Sequence, residues 1–235
     1  MSLPLFDDAT TLDLTMDGDE IALTRRVQWS VADIEQQVAL LPYSGENLPK
    51  DPAVEKAKLP PFALSFYKFL FFKGRLPTEI ELWETYLTHF GNTDDGRIFP
   101  KNRSSSNAYI ADHVKARLLR SYPSLIRDFH FFLLCQNSLF FESVRYSLSK
   151  DYFSGVDLSV QYRGVVFQIA VMLNSERARQ YKSQKYTRHQ EVPVNEIVML
   201  FDLYKTTNVK GKIKLFSMAE VVLLKEELEK QLAVE

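Results

Sequence analysis

The stretch from Gly155 to Leu173 constrains this chain more than any other. Val156-Asp157-Leu158-Ser159-Val160-Gln161-Tyr162 alternates apolar and polar residues with the period of a half-buried strand. Arg163-Gly164 supplies a two-residue turn. Val165–Leu173 is then apolar throughout apart from Gln168, the pattern of a strand buried on both faces. A strand of that kind needs neighbours on both edges and helices above or below it. The flanking sequence offers them. Pro123-Ser124 opens a helix through Gln136, with Leu125, Phe129, Phe132 and Leu133 at core spacing, and Leu139–Leu148 reads as a strand. Asn174 or Ser175 caps a helix through about Tyr186, and Glu196–Leu203 reads as another apolar strand. Ser217-Met218-Ala219-Glu220 is a capping box for a last helix, Met218–Leu232. The expected order is helix, three strands, helix, strand, helix.

The first half reads as mostly helical. Leu12–Met16 permits a short strand. Ser30-Val31-Ala32-Asp33 resembles a capping box, and its helix places Val31, Ile34, Val38 and Leu41 on one face. Leu41–Pro49 is a loop by its Pro and Gly punctuation. Pro61–Lys73 reads as a buried helix stopped by Gly74. Thr78-Glu79-Ile80-Glu81 caps another, expected to bury Ile80, Trp83, Tyr86 and Leu87 and to end near Gly91. Asn92–Asn107 is polar and reads as a long surface loop, followed by a helix from about Ala108 to Leu119. No internal repeat is visible. The expected fold is α+β, divided into an acidic N-terminal segment and helical region (1–120) and an α/β core (121–235).

Charge is uneven although the net is −1. Residues 1–55 hold eleven acids against three bases, and residues 157–189 hold six bases against two acids. Such asymmetry fits separate surfaces for separate partners, with protein partners expected at the acidic N-terminal region. The bases Arg163, Arg177, Arg179, Lys182, Lys185 and Arg188 suit the phosphate backbone of nucleic acid. The single cysteine, Cys135, lies in the apolar run Phe131–Cys135 and reads as a buried small hydrophobe, which excludes a disulfide framework within the chain. The N-terminus shows no basic and apolar leader, and no window reaches the ~18 apolar residues of a membrane span, so a cytoplasmic location without membrane contact is expected. Zinc-type Cys/His spacing, a Walker A loop, GxGxxG and GxSxG are all absent.

From about Ser124 to Leu232 the chain resembles the restriction-endonuclease-like, or PD-(D/E)XK, nuclease superfamily, whose core runs α-β-β-β-α-β. Gly155-Val156-Asp157-Leu158 stands where that family carries a metal-binding Asp at the start of the second strand. Val165-Val166-Phe167-Gln168-Ile169-Ala170 stands where the third strand bears Glu-x-Lys. The resemblance implies a Mg²⁺-dependent DNA endonuclease of the kind found in bacterial restriction, phage defence and mobile elements. Asp157, Gln168 and the helix acid Asp128 would hold the metal, which stabilises the phosphorane and activates the attacking water. Lys182 or Lys185 would take over the missing family lysine, completing a catalytic set with Asp157 and Gln168. The departures are that Gln168 replaces Glu and Ala170 replaces Lys. The alternative they leave open is a catalytically inactive nucleic-acid-binding or assembly subunit of a larger complex.

Overall fold

A computed structural model describes residues 29–57, 59, 61–100, 108–147, 150–151, 154–174 and 195–234. The possible strand at Leu12–Met16 and the basic helix through Tyr186 lie outside the described residues. The protein is α+β: helices come first, then a four-stranded mixed sheet flanked by helices.

Local signals set most helix ends. Ser30 caps α1 (Val31–Leu40) in a reciprocal capping box with Asp33. A short 3-10 turn at Gly45–Asn47 leads to α2 (Pro52–Lys56), capped by the Asp51 side chain. Helix α3 (Phe62–Lys73) stops at Gly74, which takes the left-handed conformation that glycine adopts without strain. In α4 (Glu79–Phe90) the Thr78 hydroxyl and the Glu81 carboxylate satisfy each other's backbone amides. Ile80 is not buried as expected but is 64% exposed; Leu82 takes the core position. Its neighbours Glu79 and Glu81 are held by Ser44, Gly45 and Arg75, so this side of the first turn is the polar one.

Two expectations fail at longer range. The segment after α4 is not all loop: β1 (Gly91–Asp94) and β2 (Arg97–Pro100) form a hairpin, with β3 (Tyr109–Ile110) on its far edge. Asp95-Gly96, both at positive φ, make the turn. The two helices expected around Pro123 are one, α5 (Ala111–Asn137). Proline removes the amide that would bond to the Leu119 carbonyl. That carbonyl instead accepts the Tyr43 hydroxyl at 3.3 Å. Gly45 lies so close that a Cβ there would sit 2.8 Å from the same oxygen.

Helix α5 contributes to both hydrophobic cores of the described residues. Phe129 on one side joins a core with Ile34, Leu64, Phe66, Leu82, Tyr86 and Tyr122. Phe131 and Cys135 on the other side pack on the sheet. The boundary expected between residues 120 and 121 falls inside α5, and Ile213 and Leu215 from the C-terminal part belong to the first core.

The sheet has the order β4-β5-β6-β7: β4 (Ser143–Arg145), β5 (Leu158–Tyr162), β6 (Val165–Leu173) and β7 (Glu196–Phe201). Strands β4 to β6 form an antiparallel meander, and β7 lies parallel to β6. β4 is shorter than the Leu139–Leu148 strand expected, because Leu139 sits at positive φ and 90% exposed. Leu158, Val160, Phe167, Ile169 and Ile197 fill the second core with Val221, Leu224 and Leu228 of α6 (Met218–Val234). A small hairpin absent from the sequence reading, β8 (Val209–Lys210) and β9 (Ile213–Lys214), precedes α6. A partly buried polar knot ties it down. Glu35 of α1 accepts Asn208 Nδ2 at 2.8 Å, pairs with Lys210 Nζ at 2.9 Å, and lies 3.2 Å from His130 Nε2 of α5. Burial raises the Glu35 pKa, but its three partners outweigh that and hold the carboxyl below the usual range. No helix among the described residues is long and apolar enough to cross a membrane.

Candidate functional site

Asp157 stands where β5 begins. Its amide donates to the Ile169 carbonyl at 2.8 Å, and its Oδ2 accepts the Val171 amide at 2.5 Å. The carboxylate thus continues the β5–β6 ladder one step beyond the strand, in the manner of a backbone carbonyl. Two residues on, Ser159 lies opposite Gln168 in register, and its hydroxyl donates to Gln168 Oε1 at 2.7 Å. Arg145 faces Ser159 from β4, and Glu196 faces Gln168 from β7. A polar row therefore crosses all four strands on the side away from α5 and α6. Ala170, two residues further along β6, is 1% exposed.

Asp128 enters the same neighbourhood from α5. Burial raises its pKa to about 7, with the Arg127 guanidinium opposing the shift and Asp151 reinforcing it. Asp151, in the β4–β5 connection, accepts the Tyr146 hydroxyl at 2.8 Å. Tyr146 packs against Tyr67 with ring centroids 4.7 Å apart. Both phenols are held well above their ordinary pKa, by burial first and then by carboxylate charge that includes Asp151 and Asp157. The field of Asp128 also reaches Tyr67. Three acids from separate segments thus share one partly buried region beside the start of β5. Asp157 and Asp128 were candidates in the sequence. Asp151 was not, and its only signal is an acid six residues before Asp157 with a glycine between them.

The structure separates Arg163 from Asp157. Arg163 sits at the β5–β6 turn, the opposite end of the hairpin from Asp157, roughly 20 Å away at the rise of an extended strand. Its guanidinium lies over the Tyr162 ring and 3.6 Å from Glu229 of α6. Arg177, Arg179, Lys182, Lys185 and Arg188 lie outside the described residues.

Among the described residues no group of three His, Cys, Asp or Glu side chains is placed to hold a metal ion. The donor chemistry agrees: one Asp157 oxygen accepts a backbone amide, Gln168 Oε1 accepts Ser159, and burial raises the Asp128 pKa. These side chains alone do not fit a Mg²⁺ shell, and no catalytic step is derived through one. No protein family, curated protein or solved structure matches this chain.

Proposed function

We propose that this chain binds nucleic acid with a restriction-endonuclease-like core that does not cut on its own, as a binding or assembly subunit. The observation that carries the reading is the pair Ser159–Gln168 beside Ala170. Where the family places a carboxylate and an amine, this chain has a neutral amide tied to a hydroxyl and a buried methyl group. The meander with a parallel fourth strand supports the core resemblance. The base-rich run at 177–188 supports a phosphate-bearing partner, DNA in the first instance. The acidic N-terminal region supports a protein partner in the same assembly.

One observation favours a second reading, a Mg²⁺-dependent endonuclease serving in bacterial defence or a mobile element. Asp128, Asp151 and Asp157 all act on the Tyr67 phenol, and burial raises the Asp128 pKa, a pattern common at functional sites. Lys182 or Lys185 would then supply the amine.

One experiment separates the two. The purified chain is incubated with supercoiled plasmid and with single-stranded DNA in Mg²⁺, Mn²⁺ or EDTA. The binding reading expects a salt-sensitive mobility shift without strand breaks under all three conditions. Nicking that EDTA abolishes, and that Asp157→Ala loses, would replace it with the endonuclease. Absence of any shift at low salt would refute both.

A further inference from the structure

The turn after β7 and the β8–β9 hairpin form a surface that the acid cluster does not use. Between Leu203 and Lys214 the chain carries Lys205, Lys210, Lys212 and Lys214 and no acid. Tyr204 stands at the head of this segment with 93% of its surface exposed. Leaving an aromatic ring in water forgoes the large apolar burial such a side chain offers a core.

The backbone that carries the ring is tied down. The Tyr204 amide donates to Asp202 Oδ1 at 2.9 Å, and the Lys205 amide to the Asp202 carbonyl at 3.0 Å, closing a tight turn. Lys214 Nζ donates to the Leu203 carbonyl at 3.1 Å and lies 5.3 Å from the centre of the Tyr204 ring. Thr206 and Asn208 bond across to Leu215. The hairpin beneath is fixed to the helical core by the Glu35–Asn208–Lys210 contacts. At its tip, Gly211 lies so close to α1 that a Cβ would meet the Val38 carbonyl oxygen at 3.1 Å. An exposed aromatic ring beside a fixed, lysine-bearing hairpin is available for binding.

We infer that Tyr204, with Lys205, Lys212 and Lys214, is a docking surface for single-stranded nucleic acid. The ring stacks on an unpaired base, and the ammonium groups neutralise the neighbouring phosphates. Paired bases hide their faces, so duplex gains only the phosphate contacts. The inference rests on the nucleic-acid reading and adds residues outside the 177–188 run.

The test measures fluorescence anisotropy of a labelled oligothymidylate of about 20 nucleotides, and of a duplex of equal length, with the full chain. Tyr204→Ala is expected to weaken oligothymidylate binding about tenfold and Tyr204→Phe to leave it nearly unchanged. Duplex binding should not respond to Tyr204→Ala. Lys205→Ala with Lys212→Ala should reduce the salt dependence by about one unit per lost contact. All three variants change exposed side chains, and a circular-dichroism melt checks that they fold. If Tyr204→Ala leaves oligothymidylate binding intact while Arg177→Ala with Lys182→Ala and Lys185→Ala abolishes it, this surface is wrong and the nucleic-acid reading stands. If the unaltered chain binds neither probe at low salt, both fall.

Discussion

The Ser159 hydroxyl donates to Gln168 Oε1 across neighbouring strands, at 2.7 Å, on the face of the sheet away from α5 and α6. A carboxylate at 168 would accept the same hydroxyl and still present a charged oxygen. The amide presents an N–H₂ group there, which repels a cation.

Gln168→Glu therefore has a defined outcome. The Ser159 hydrogen bond survives, so stability should change by less than about 1 kcal/mol in urea titration. Mg²⁺ or Mn²⁺ titrated by calorimetry should show no binding to the unaltered chain and weak binding to the variant. Equal strong binding to both would mean that Gln168 already serves a complete metal shell.

Asp157 is expected to act first as a strand-end acceptor. Asp157→Ala leaves the Val171 amide without its partner and should cost about 1–3 kcal/mol. Asp157→Asn keeps an acceptor oxygen and should recover most of the loss. If both variants are as stable as the parent, the carboxylate has no structural duty and is held for chemistry.

The sequence made legible whatever is decided within one turn of the chain. Ser30, Thr78 and Ser217 announce their helices because a capping hydroxyl and its amide are three residues apart or fewer. Gly74 announces a stop for the same reason. The β5–β6 hairpin was legible from alternation and from Arg163-Gly164, both at positive φ. What failed was decided across distance. Pro123 reads locally as a helix start, and the donor that meets the carbonyl it leaves free, Tyr43, lies 76 positions before Leu119. Asp151 reads as a loop acid until Tyr146 and Tyr67 are placed around it. Asp157 could be singled out by position, but its bond to Val171 could not.

The raised pKa of Asp128 predicts a pH dependence with a definite sign. The folded state holds a proton up to about pH 7 that the unfolded chain releases near its ordinary value of 3.8. Asp128 therefore lowers stability progressively as pH rises from about 4 to about 7. Asp128→Asn removes that slope. The variant should match the parent near pH 4 and exceed it at pH 8 by on the order of 1–3 kcal/mol. Urea midpoints at the two pH values check this, and an equal difference at both would show that Asp128 stays ionised.

The Tyr43–Leu119 contact predicts a coupling that neither residue shows alone. Tyr43→Phe leaves the Leu119 carbonyl without a donor in the interior and should destabilise by about 1–2 kcal/mol. Pro123→Ala restores a helical amide four residues after Leu119, which competes for the same oxygen. In the Pro123→Ala background Tyr43→Phe should then cost only a few tenths of a kcal/mol, because the helix satisfies its own carbonyl. A double-mutant cycle by chemical denaturation measures the difference. If Tyr43→Phe costs the same in both backgrounds, the hydroxyl is not what lets α5 run through its proline, and Gly45 packed against Leu119 becomes the contact to vary.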